Sequence, residues 1–508
     1  MLGSLRAMWL RAIAACAGFA LSLAVASARP DPVLPPPKPV EETPVPPLTT
    51  LAVDLSPIFP EGTLLYPIDL ATALRLADAS NPAIAVARRR VDEALARQDQ
   101  AEVLWLPTLN AGGAYQRHDG QIQNSNGLVF SSNFSSLFAG GAALLHVETA
   151  DAYFLPLIAR RLTAAEAANS RAVAIDVQLD AAQAYLDLLQ AYGALAVNTD
   201  VLGRAKLIVD RAESAFRAGV SKTTADGPRA RSEYQLRLRE RTDLKVRVGA
   251  ASARLARILL LNPTVALLPA EVAIVPVRFV PDDARLDDLL VTGLTNRPEV
   301  HANQERAAAL LTRWRQARLS PLLPRLQVEY SGGTFGGGTN ATLSNFAGRG
   351  DATAAAVWEL HNLGFGDAAR IRERRAQYEQ EQLQGIEIAS RVAEEITAAV
   401  YQVRARREGL GFAQVAVREA VEMWDRLEKS SFGMKGPRGE YDALEPFLAI
   451  QSIAQARGQY LNEVIDYNRA QLRLYSTLGQ PPLEALPAGA PLPVQVPAAP
   501  PPFIRREP

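Results

Sequence analysis

Side chains able to act as nucleophiles or metal ligands are sparse in this 508-residue chain, which has four histidines and one cysteine, Cys16. His118, His146 and His361 fall in or beside predicted strands and His301 begins a predicted helix, a scatter that suits solvated imidazoles better than a metal site. The glycines of "FGGGTN" (335–340) suggest a phosphate loop, but no Lys-Ser/Thr follows them. The residues therefore point to no catalytic centre, cofactor or metal, and the chain is read as a non-enzyme. Charged groups gather instead at two predicted helix–helix turns, "AFRAGVSKTTADGPRARS" (215–232) and "KSSFGMKGPRGEYDALEP" (429–446). Each turn has a glycine at a helix end, Gly219 or Gly433, before a new helix begins. Glu440, Tyr441, Asp442 and Glu445 are expected to start the second returning helix, where acidic groups also satisfy the helix dipole. Arg217, Arg229 and Lys435 supply positive charge nearby.

The elements that position these turns follow from composition and patterning. Hydrophobic residues make up 48% of the chain and charged residues 21%, enough for a sizeable core, and 54 basic groups balance 54 acidic ones. That balance gives no global field towards nucleic acid. Residues 1–28 carry Arg6 and Arg11, an apolar run from Ala12 to Val25 and a small-x-small "ASA", as in a secretory signal peptide. "IAAC" at 13–16 leaves open a lipoprotein reading in which Cys16 is acylated. Cleavage after Ala28 would leave a mature chain without cysteine, held by packing alone. Residues 29–63 form a Pro-rich linker and 483–508 a Pro-rich tail.

Between these ends the sequence is duplicated. Leu70, Leu74 and Pro82 align with Leu286, Leu290 and Pro298, and "LPTLNAGGAY" from Leu106 aligns with "LPRLQVEYSG" from Leu323 after a one-residue shift. The first repeat covers 64–263 and the second 284–482, with 264–283 between them. Each reads as helix, helix, strand, loop, strand, long helix, turn, long helix. The first long helix is expected to begin near Pro156 and end at "FRAG" (216–219), about 60 residues or on the order of 90 Å. Its return runs from about Pro228 to Leu261. In the second repeat the pair spans Gly366 to about Ser430 and Glu440 to Leu478. Alanine occupies many positions where a compact bundle would carry leucine, so the helices can approach closely and form a wall one helix thick. Tyr185, Tyr192 and Tyr401 are expected to pack within that wall.

The predicted strands are 108–118, 139–147, 325–334 and 353–361, each long enough to cross a bilayer when tilted. Loops of about 20 and about 16 residues, rich in Gly, Ser and Asn, would join the pairs. Lipid tolerates only helices and closed barrels, because an open sheet edge leaves backbone groups unpaired. Four strands cannot close a barrel. Such strands must share a barrel with other copies, with lipid against the apolar face. Tyr115, Tyr330 and Trp358 are candidate membrane-interface aromatics or subunit-contact residues.

The duplicated "NP...A...A...A......LP.L" pattern, the "AVWELHNLGFGDAARIRERRAQ" segment (356–377) and "FRAG" resemble the TolC family of outer-membrane efflux proteins over about residues 64–482. The resemblance implies a mainly α fold with a small β membrane part. Three copies would form a twelve-stranded β-barrel in the outer membrane on a twelve-helix α-barrel in the periplasm. It implies a passive exit duct of a tripartite efflux or type I secretion system, with a periplasmic adaptor and an inner-membrane transporter as partners. The two turns would then form the periplasmic mouth. Asp442, Glu440 and Glu445, repeated by threefold symmetry, become candidates for an acidic aperture, and Arg217, Gly219, Arg229, Gly433 and Lys435 for docking or gating. A soluble periplasmic adaptor or coiled-coil scaffold would account for the helices but not for the duplicated strands.

Overall fold

The computed structural model describes residues 48–49, 65–262, 264–271, 273–429, 434–435 and 440–485. The leader, Cys16 and Gly433 lie outside them, as do nearly all of both Pro-rich ends. Eight α-helices occur among the described residues: α1 (Leu70–Ser80), α2 (Pro82–Glu102), α3 (Thr149–Arg217), α4 (Asp226–Ile258), α5 (Leu286–Asn296), α6 (Pro298–Leu319), α7 (Phe365–Lys429) and α8 (Leu444–Thr477). Prolines Pro82 and Pro298 sit at the first position of α2 and α6, where a missing N–H costs nothing. At 69 residues, α3 is about 100 Å long. It packs against α2, α4, α6 and α8 and buries small residues on several sides, among them Ala181, Ala182, Ala184, Ala205 and Ala212. Tyr185 and Tyr192 are buried in this packing, and the Tyr185 hydroxyl donates to Glu271, whereas Tyr401 on α7 is exposed.

The start of α3 differs from the expectation. Pro156 does not begin the helix; it lies inside, two turns from the N-terminus at Thr149. A proline there cannot donate to the carbonyl four residues earlier, that of Ala152, which is buried. The indole of Trp105 fills the gap, its Nε1–H donating to Ala152 O at 3.2 Å. A side chain from the loop after α2 thus repairs the helix that local sequence appeared to end.

Among the described residues ten short or long strands, β1 to β10 in chain order, form four sheets. The largest contains β3 (Thr108–Gln123), β4 (Val129–Glu148), β7 (Arg325–Thr339) and β8 (Ser344–Val357), ordered β3-β4-β7-β8 and antiparallel throughout. The strands of both repeats thus meet in one sheet, along β4 and β7. These strands are longer than expected, because the Ser-, Asn- and Gly-rich stretches assigned to long loops continue the backbone ladder. Actual turns are short. In the first, Asn124 Oδ1 accepts from the backbone N–H groups of Asn126 and Leu128 at 3.1 and 3.0 Å. In the second, Asn340 and Ala341 adopt positive φ. At the other end β8 stops at Val357, so Trp358 lies just beyond the strand.

Residues paired across a ladder share a face. Leu109, Ala143, Tyr330 and Ala352 therefore lie together, as do Leu145, Val328 and Ala354, on an apolar face that also carries Tyr115 and Leu137. The opposite face bears Gln116, His118, His146, Gln327, Glu329, Arg349 and Asp351, interspersed with Phe130, Phe134 and Phe335. Glycine is required where the two repeats join. A Cβ on Gly140 would stand 2.3 Å from Gly332 O, and one on Gly333 would stand 2.4 Å from Ala139 O.

Four smaller pairings were not legible in the sequence. β1 (Leu48–Thr49) pairs with β6 (Ala273–Ile274), and β2 (Leu65–Ile68) runs parallel to β5 (Ala266–Pro269). β9 (Met434–Lys435) pairs with β10 (Glu440–Tyr441), and Ser221 forms a single parallel bridge to Tyr441. Strands of two to four residues carry too little alternation to be recognised.

The repair at Pro156 makes a coupled prediction. Trp105→Phe should lower unfolding stability by about 1 kcal/mol by leaving the Ala152 carbonyl without its donor. Pro156→Ala supplies a backbone N–H in the right place and should remove most of that loss in the double variant. A double-mutant cycle by thermal or denaturant unfolding checks this, and strict additivity would refute the account.

Candidate functional site

The first helix–helix turn is built by a Schellman motif. Gly219 takes φ 70° at the end of α3, its N–H bonds Phe216 O at 3.1 Å, and the Val220 N–H reaches back to Ala215 O at 3.0 Å. This geometry projects Val220, Ser221 and Lys222 away from the helix with their backbone groups free for another partner. Tyr441 takes them: its N–H donates to Val220 O at 2.8 Å, and the Lys222 N–H donates to Tyr441 O at 3.0 Å. The two turns, more than two hundred residues apart in sequence, are joined by backbone hydrogen bonds.

Side chains reinforce the junction. Lys222 Nζ lies 2.8 Å from Asp442 Oδ2, while Asp442 Oδ1 accepts from the Leu444 N–H at 3.0 Å at the start of α8. Lys222 is exposed and Asp442 largely covered, so the pair sits at the surface of the junction. Beneath it, Asp226 at the start of α4 is fully buried, with Ser221 Oγ 3.2 Å from its Oδ2. Among the described residues, its Oδ1 and the hydroxyl of buried Tyr441 have no hydrogen-bond partner. Burial, and then the negative charge of Asp226, push the Tyr441 phenol up to about 12.

The expected site residues divide. Asp442 is at the junction, but Glu440, Tyr441 and Asp442 do not start the returning helix: Glu440 and Tyr441 form β10, opposite Lys435 and Met434, and α8 begins at Leu444. The correction has a local cause, since the Asp442 side chain accepts from the Leu444 N–H two residues on, a turn that holds Asp442 outside the helix. Glu445 is in that first turn and partly exposed. Arg217 ends α3 with Nε 3.4 Å from Glu213 O, and Arg229 is exposed in the first turn of α4. Neither takes part in the junction contacts described. Sequence reading passed over Lys222, Ser221 and Asp226; the only signal was a run of Ser, Thr, Lys and Asp immediately after a C-terminal glycine.

At the opposite end of the helices, Tyr115, Tyr330 and Trp358 are all more than half exposed. Tyr330 lies over Gly332 and Gly350 of its own and the adjacent strand. Arg325 closes the base of the sheet, with ion pairs of 3.1 Å to both Glu148 and Glu359. Among the described residues no group of His, Cys, Asp and Glu could hold a metal ion. No helix among them is long and apolar enough to cross a membrane.

No family model matches the sequence, and no curated protein matches it. Solved structures do share the fold. The CmeC outer membrane channel of Campylobacter jejuni superposes with a TM-score of 0.66 at 16% identity, over 81% of this chain and 85% of that one. The outer membrane protein VceC of Vibrio cholerae gives 0.65 at 17% identity, over 81% and 96%. The open state of the MtrE outer membrane channel of Neisseria gonorrhoeae gives 0.62 at 17%, over 81% and 89%. The resemblance read from the sequence is borne out in the fold, which is mostly helical with a small strand part and is that of outer-membrane channels.

The raised Tyr441 phenol sets a pH dependence. The folded state favours the protonated form, so its contribution is complete below the ordinary value of 10.0 and is lost as pH rises through about 12. Tyr441→Phe should therefore unfold at higher pH than the parent in an alkaline titration. At neutral pH it should lose no more than about 1 kcal/mol, because the deleted hydroxyl has no partner among the described residues. A parent that loses stability between pH 10 and 12 no faster than Tyr441→Phe would contradict the assignment.

Proposed function

We propose that the chain is the subunit of a trimeric outer-membrane channel, a passive exit duct served by a periplasmic adaptor and an inner-membrane transporter. The observation that carries this reading is the four-stranded sheet. Its outer strands, β3 and β8, each have one neighbour among the described residues, and nearly every residue of both is solvent-exposed. An apolar face, a polar face and two open edges suit a sheet completed by copies of itself, apolar side to lipid and polar side to a water-filled lumen. Three such sheets give twelve strands. The fold shared with CmeC, VceC and MtrE supports the same assembly, with the long helices continuing into the periplasm.

On this reading the junction of the two turns is the periplasmic mouth. Asp442 contributes to the aperture, but its charge is met by Lys222 at 2.8 Å. A pair at the surface of the junction, with an exposed lysine, is worth about 1 kcal/mol, so it biases this arrangement without locking it. Displacement of the turns by the adaptor would separate Lys222 from Asp442 and strip Tyr441 from Val220 and Lys222, a move between two packed arrangements.

Detergent-extracted protein should have three times the chain mass by light scattering; a monodisperse monomer that still conducts would overturn the assembly. In planar bilayers, Lys222→Ala and Asp442→Ala should each raise single-channel conductance or open probability. Asp442→Ala should also weaken cation block, and unchanged recordings from both variants would remove the pair from the mouth.

A further inference from the structure

Between α3, α6 and α7, at the end of the helices nearest the sheet, lies a cavity of about 410 Å³ whose charged lining is Asp151, Arg313, Arg370 and Arg374. Asp151 is already engaged, its Oδ1 accepting from Gln316 Nε2 at 2.7 Å. Arg374 donates to Gln377 Oε1 at 2.9 Å and has Glu373 at 3.8 Å. Arg313 and Arg370 have no hydrogen-bond or ion-pair partner among the described residues. The lining thus sets three guanidinium groups against the one carboxylate of Asp151, so a space large enough for a small polyatomic anion keeps an excess of positive charge.

We propose that this cavity binds a phosphate group, held by Arg313 and Arg370 with Arg374 alongside. A guanidinium fork matches the geometry of phosphate oxygens, and two forks on adjacent helices can take one phosphate together. The state of Arg313 agrees with this: burial, and then the charge of Arg374, lower its proton affinity, a penalty that a bound anion would relieve. Position agrees as well. Asp151 is the third residue beyond Glu148, the last of β4, so the cavity begins about 5 Å from the end of the sheet. If the sheet crosses the hydrocarbon, as proposed above, the cavity lies just past its helix-side end, on the side of the membrane where one leaflet's headgroups are. The phosphate would come from a phospholipid headgroup or from a soluble phosphate-bearing molecule, and only the first source rests on the membrane assignment.

The test uses the full chain in neutral detergent, titrated with dihexanoylphosphatidylglycerol, with inorganic phosphate, and with uncharged dihexanoylglycerol as control. The phosphatidylglycerol probe should bind the parent and bind Arg313→Gln/Arg370→Gln about tenfold or more weakly. Arg370→Gln alone, at an exposed position that cannot threaten folding, should show a smaller loss in the same direction. Arg318→Gln, whose guanidinium lies over Trp314, should bind as the parent does. Displacement of the probe by millimolar inorganic phosphate identifies a soluble phosphate as the natural ligand; resistance to displacement identifies the lipid headgroup. Equal binding by parent and double variant, equal binding of the uncharged control, or no binding of either phosphate probe overturns the proposal. Flotation with liposomes separates the two readings. A chain that stays in the soluble fraction but loses phosphate binding in the double variant removes the channel assignment and keeps the phosphate site.

Discussion

The backbone of the four-stranded sheet has to satisfy its hydrogen bonds somewhere. Within the described chain, β4 and β7 are paired on both sides over most of their length, but β3 and β8 each present one row of donors and acceptors with no protein partner. In water such edges are tolerable; in hydrocarbon each unpaired group costs several kcal/mol. The proposed assembly follows from that cost, because pairing β3 of one copy with β8 of the next satisfies both rows and leaves no edge. The glycine contact between Gly140 and Gly333 belongs to the same constraint. It brings the strands of the two repeats together at the centre of the sheet, so that the open edges fall at its two sides.

The helices answer a different requirement. With alanine at so many buried positions, α3 can contact several helices at short range, but each contact buries little area. Stability must therefore come from length and from specific polar ties between helices. Arg469 reaches Asp187 on α3 at 2.6 Å, and Asp282 collects Tyr467 and Arg407 at 3.2 and 3.1 Å. Where the helices reverse, packing is replaced by the backbone bonds between Val220, Lys222 and Tyr441. Among the described residues this junction combines a buried carboxylate with one unpaired oxygen, a buried phenol without a partner and an ion pair at its surface. Such under-satisfied contacts are weakly held, as suits an element that must rearrange on the proposed function.

Much of the architecture was legible because it repeats. Proline at the first helical position, the alanine-rich 3.6-residue pattern and the alternation in "RLQVEYSGG" each follow from local physics and occur in both halves of the chain. The candidate site was legible only in part. Asp442 was recognised from its place beside a turn, but its partner Lys222 lies on the other hairpin, and no local pattern links the two. The long loops were misread because Ser, Asn and Gly signal turns in water, whereas here they continue the ladders of β3, β4, β7 and β8.

The sequence alone determined the class of element along most of the chain, the duplication, and the shortage of strands on which the proposed shared barrel rests. These depend on residue spacing and on backbone chemistry, which are present before folding. Tertiary structure alone decided that α3 passes through Pro156, since the repairing donor is Trp105 from another element. It also decided that Tyr441 joins a strand instead of a helix, and that Arg313, Arg370 and Arg374 converge on one cavity. Each of these is set by groups distant in sequence meeting in space, and spacing along a single segment carries no record of that meeting.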